Sequence, residues 1–103
     1  MNSLMRPEDA DYPAEVRFTA TMFLHNFEKG AWMFVEVPSA LAPPVMGGWG
    51  MTPVVATVDG REWKTTVWRD KTKRTLLPVP KKIRGKKQAG EQVEVVLRID
   101  RRR

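Results

Sequence analysis

The chain contains no cysteine and only one histidine, His25, among its 103 residues. The first absence removes disulfide frameworks, thiolate metal sites and thiol nucleophiles together, and suits a reducing cytoplasm. The second leaves any histidine-dependent catalytic arrangement with one candidate base, and no nucleophile motif stands beside it. No apolar run is long enough to span a bilayer, and residues 1–11 are polar and acidic rather than signal-like. The expectation is a cytoplasmic protein with no membrane association. Carboxylates are few and scattered: Glu36, Asp59, Glu62, Glu94 and Asp100 show neither metal-ligand spacing nor an acid/base pair, so no cofactor and no enzymatic activity are expected.

Positive charge is plentiful and unevenly placed. Residues 1–60 hold three Lys/Arg against seven Asp/Glu, whereas residues 61–103 hold fifteen against five, and the net charge is +6. A basic half of this strength concentrates anions near the surface. The candidate contacts for a nucleic acid or another anionic partner are Lys64, Arg69, Lys73, Arg74, Lys81, Lys82, Arg84, Lys86 and Lys87. Trp63 or Trp68 would stack a base if either faces outward, although core packing is the commoner fate of a strand tryptophan. The competing reading is a merely solubilising surface.

Period-two alternation dominates the chain. Residues 15–24 place Val16, Phe18, Ala20, Met22 and Leu24 on one face, which makes a first strand with one buried side. A turn around residues 26–30 leads to a second strand over 31–37, apolar on both faces. A third covers 52–58, and Asp59-Gly60 is a strong hairpin signal because both residues tolerate positive φ. The fourth covers 62–68. Asp70-Lys71-Thr72-Lys73 then turns the chain into a fifth over 74–79, with Thr75, Leu77 and Val79 inward. Pro80 suits the first position of a short helix that Gly85 ends. The sixth strand, 92–100, points Val93, Val95, Leu97 and Ile99 inward and Glu94, Arg98 and Asp100 outward.

The two halves echo one another. Val37-Pro38 recurs as Val79-Pro80, 42 residues later, and residues 54–59 recur as 95–100, 41 later. Six strands and one short helix exclude an open parallel α/β sheet. The fold expected is a mostly β, six-stranded double-split β-barrel with a pseudo-twofold internal repeat, because closure removes exposed edges. Residues 1–14 would form a flexible segment, 15–100 the single domain and 101–103 a basic tail. A monomer is favoured over a dimer.

One segment is too apolar for an ordinary solvated loop: Pro43-Pro44-Val45-Met46-Gly47-Gly48-Trp49-Gly50-Met51. Met46, Trp49 and Met51 would either form the lip of a barrel-end pocket for a small anionic ligand or plug the open end. The glycines are no phosphate loop, since no Lys-Ser/Thr follows.

The run Leu77-Pro78-Val79-Pro80-Lys81-Lys82-Ile83-Arg84, the Gly90-Glu91-Gln92-Val93 step and the preceding Pro53-Val54-Val55-Ala56-Thr57-Val58-Asp59-Gly60 resemble the bacterial domain of unknown function nineteen-oh-five family. The likeness covers roughly residues 16–99. It implies a double-split β-barrel and no established activity. This chain has Gly90-Glu91 where the family pattern has Gly-Asp, and its segment after Arg84 is shorter. More loosely, Pro80-Lys81-Lys82-Ile83-Arg84 followed by Gly90-Glu91-Gln92-Val93 resembles the swapped-hairpin DNA-binding domains of AbrB-type regulators. There two short chains build one barrel; here duplicated halves would build it from one, which removes the symmetric half-site reading. The function expected is a non-enzymatic binding or accessory module, with AbrB-like nucleic-acid binding or small-anion binding near Trp49 as alternatives.

Overall fold

The structure is a computed structural model that describes residues 12–27, 30–44 and 50–101. Seven strands form one antiparallel sheet in the order β1-β7-β4-β5-β6-β3-β2: β1 Val16–Thr21, β2 Phe23–Phe27, β3 Gly30–Val37, β4 Met51–Val58, β5 Arg61–Arg69, β6 Thr75–Pro78 and β7 Gln92–Ile99. The sheet curls, and its concave side holds the core. One helix is described, α1 Lys81–Arg84, together with a 3-10 turn at Ser39–Leu41.

The expected first strand is two strands, so the count is seven rather than six. Met22 interrupts it: its N–H donates to the Glu91 carbonyl, and its carbonyl accepts from the Gly90 N–H. Before this point the chain pairs with β7; after it, with β3. β1 and β2 therefore end the strand order on opposite sides, although one residue separates them in sequence. Leu24, expected inside, is 55% exposed. It stands opposite the buried Met33, but no described strand pairs beyond β2 to cover it.

Elsewhere alternation is obeyed because one sheet face is dry. Val54, Ala56 and Val58 of β4 share the core with Val93, Val95 and Leu97 of β7, all essentially inaccessible. The β4–β7 ladder contains the pair Ala56 and Leu97, and the β3–β6 ladder the pair Val35 and Leu77. None of these four side chains is exposed at all. Thr75, Leu77 and Val79 lie inward as expected.

β3 is covered on its core face and, at Phe34, on the other face as well. Met33, Val35 and Val37 join the main core, whereas Phe34, also fully buried, lies on the opposite face among Phe23, His25 and Trp68, with ring centroids 6.2, 6.1 and 6.1 Å away. His25 is thus a strand residue packed edge-on to a ring. Tyr12 packs against the core and donates its hydroxyl to the Leu41 carbonyl at 2.9 Å; burial pushes its pKa up to about 12.

The β4–β5 and β5–β6 hairpins behave as their turn residues dictate. Asp59 and Gly60 have φ of 48° and 86°, the positive values a two-residue primed turn requires. Asp70 closes the β5–β6 turn, its backbone N–H donating to the Arg74 carbonyl. Pro80 is the residue before the helix (φ −70°, ψ 160°) rather than its first member, since ψ is still extended. Asp100, expected outward, is only 5% exposed: its N–H donates to the Pro53 carbonyl at 3.0 Å, which folds the end of β7 onto β4.

Candidate functional site

The basic residues do not form one field. Arg61 and Arg69 bound β5, and eight steps of about 3.3 Å put its ends about 26 Å apart. The cations divide between these ends, with Lys64 between them on the outer face.

At one end the helix carries Lys81, Lys82 and Arg84, and Lys86 and Lys87 follow directly. The segment is anchored firmly for its length. Ile83 is buried, and Arg84 Nη1 donates to the Val79 carbonyl at 3.0 Å. Arg61 Nη1 donates to the Lys82 and Ile83 carbonyls at 3.3 and 3.2 Å, placing a guanidinium where a helix end leaves carbonyls unpaired. Gly85 makes room for it: a Cβ there would stand 3.2 Å from Arg61 Nη1, and φ is +63°. Lys87 Nζ bonds Asp59 Oδ2 at 2.9 Å and the Gln92 carbonyl at 2.7 Å. Asp59 Oδ1 accepts the Glu94 N–H; this bond first, then Lys87 and Arg61, hold its carboxyl below the ordinary value against the effect of burial.

At the other end stand Arg69, Lys71, Lys73 and Arg74. Asp70 organises them. Its Oδ1 accepts from the Thr72 N–H, the Thr72 hydroxyl and the Arg74 N–H at 2.9, 2.8 and 2.9 Å, and its Oδ2 accepts from Arg74 Nε and Nη2 at 3.0 Å each. Desolvation opposes ionisation here, but these bonds outweigh it and bring the carboxyl down to about 2. The Arg74 guanidinium also lies 5.8 Å from the Phe23 ring centroid, a cation–π contact.

The nine expected contacts therefore separate by what their charge already does. Arg74, Arg84 and Lys87 are tied into the scaffold. Lys64, Arg69, Lys73, Lys81, Lys82 and Lys86 are exposed, and none forms an ion pair with an acid among the described residues. Lys81, Lys82 and Lys86 share the single anchored segment.

Of the expected pocket lip, Met46 and Trp49 lie outside the described residues. Met51 opens β4, half-buried and opposite Trp68. Trp63 packs on the core and Trp68 on Phe34. Among the described residues the exposed large aromatic is Trp32, at 54%, which pairs across strands with His25. Sequence reasoning missed it, because an apolar strand carries no mark of which ring is left uncovered. Among the described residues no group of three or more His, Asp or Glu could hold a metal ion, and no helix is long and apolar enough to cross a membrane.

A mostly β chain with one curled antiparallel sheet, a single-turn helix and a basic segment after a Val-Pro step defines the class. The model of the family described as Domain of unknown function (DUF1905) matches residues 18–97, and the chain belongs to that family. No curated protein matches the chain. The match indicates no specific biochemical function.

Proposed function

We propose that the chain is a non-enzymatic, cytoplasmic binding module whose anchored basic segment, residues 81–87, docks on the phosphate backbone of a nucleic acid. One observation carries this reading: Lys81, Lys82 and Lys86 project from a segment held by Ile83, Arg61 and Arg84, so three exposed ammonium groups are presented at little further ordering cost. The curled sheet is the six-stranded double-split barrel of the expected fold, with β1 and β2 as one bent strand that closes it. The pairing supports this. Exchanging β4 with β7 and β3 with β6 carries the β1–β7 ladder onto β5–β4 and the β2–β3 ladder onto β5–β6, as a half-turn would require.

The test is anisotropy of labelled duplex DNA and RNA titrated with the full chain at several salt concentrations. Three neutralised phosphates give a log–log salt slope of about −2.7 on duplex DNA and about a 40-fold loss of affinity between 50 and 200 mM salt. The triple variant Lys81→Gln, Lys82→Gln, Lys86→Gln should abolish both binding and slope, with a thermal melt unchanged because none of the three bears a scaffold bond. Salt-independent binding, or full binding by the triple variant, overturns the reading.

A further inference from the structure

We propose a second site, independent of the basic segment: the outer face of β5-β4-β7 binds a phosphate group in a notch between Lys64 and Arg98. Register builds it. Val55 of β4 pairs with Lys64 on one side and Arg98 on the other, so three side chains stand in one row on one face. Cross-strand partners lie about 5 Å apart, which sets the Lys64 and Arg98 backbones about 10 Å from each other, with a short side chain between two long ones. The result is a depression of about 330 Å³, whose walls are completed by Ile99, Asp100 and Arg101. A volume of this size suits a phosphate bearing a small organic group.

The charges select the ligand. Three cations, Lys64, Arg98 and Arg101, line the depression against the single carboxylate of Asp100, a positive excess that suits a phosphate group. Arg98 has only a weak competitor: Glu62 lies 3.6 Å away, and both side chains are about half exposed. The Val55 side chain supplies the apolar surface against which the organic part of a phosphomonoester would lie.

The same face contains its own control. Val96 of β7 stands between Arg17 of β1 and Thr57 of β4, in the counterpart of the row around Val55. It lines a depression of about 310 Å³ with Arg17, Thr19 and Glu94. There Arg17 is the one cation of the lining, and Glu94 adds a negative charge. The shape is repeated without the cationic excess, so phosphate should enter the first notch and not the second.

The experiment is an amide-resolved NMR titration of the full chain with inorganic phosphate, against sodium chloride at matched ionic strength. Saturable shifts are expected at Val55, Lys64, Arg98 and Arg101. Lys64→Gln and Arg98→Gln should each weaken binding about tenfold, the loss of one charge-assisted hydrogen bond. Glu62→Gln should tighten it, and Arg17→Gln should leave it unchanged. Glycerol phosphate and a short single-stranded oligonucleotide, titrated in parallel, separate the two sources of the group. Tighter binding of the ester, with shifts confined to the notch, assigns it to a small metabolite. Tighter binding of the oligonucleotide, with shifts reaching Lys64 and Arg98, assigns it to a nucleic-acid backbone. Shifts reproduced by chloride, or unaltered by Arg98→Gln, overturn the site.

Discussion

Phe34 offers the sharpest test of how tightly the cluster on the outer side of β3 is packed. It is wholly buried yet lies outside the main core, enclosed instead by Phe23, His25 and Trp68. If that outer cluster is as closely packed as an interior, Phe34→Ala should cost about 3–5 kcal/mol, because lost transfer energy is joined by a cavity that three stiff rings cannot fill. A domain of this size has about 5–15 kcal/mol in total. The loss therefore consumes a large share of it and should lower Tm by more than about 15 °C. The neighbouring Trp32→Ala, on the same face two residues away but 54% exposed, should cost only about 1 kcal/mol. Urea unfolding followed by circular dichroism gives both values, with equal m-values licensing the comparison. A Phe34→Ala cost within 1 kcal/mol of the Trp32→Ala cost would refute the argument, since it would mean that the outer cluster yields like a surface.

The remaining predictions concern the two basic ends. Asp70 has a folded pKa of about 2 against an ordinary 3.8, so its contribution is complete above about pH 5 and is lost as pH falls through the folded value. Urea midpoints measured from pH 6 to 2 should fall over that window, and Asp70→Ala should flatten the fall; an unchanged slope would contradict the bonds assigned to its carboxylate. Gly85→Ala should cost about 1 kcal/mol or more, because an L-residue is strained at φ +63° and the new Cβ crowds Arg61. In an Arg61→Gln background the same substitution should cost less, a coupling read by a double-mutant cycle. Strict additivity would show that the guanidinium does not need the space.

Much of the architecture was legible in residue order, and the reasons are local. Alternation is a property of neighbouring residues, which is why Thr75, Leu77, Val79, Val93, Val95 and Leu97 could be named as interior. Asp59-Gly60 and Asp70-Lys71-Thr72-Lys73 carry their turns in their own chemistry, through positive φ and a side chain that bonds its own backbone. Failure came where a decision belonged to distant partners. Nothing near Met22 says that Glu91 and Gly90 will bind it and end β1. Nor does anything near Leu24 say that no described strand lies beyond it, or near Asp100 that Pro53 will draw it under cover.

The site followed the same division. The sequence by itself determined that the C-terminal half is basic, because charge is additive and needs no coordinates. Only the tertiary structure decided which of those charges are already engaged: Arg74 by Asp70 and the Phe23 ring, Arg84 by a carbonyl, Lys87 by Asp59. It alone set Lys64 and Arg98, 34 positions apart, on either side of Val55. Hydrophobic periodicity is written along one strand, whereas the pairing of cations with acids, carbonyls or each other depends on which strands become neighbours.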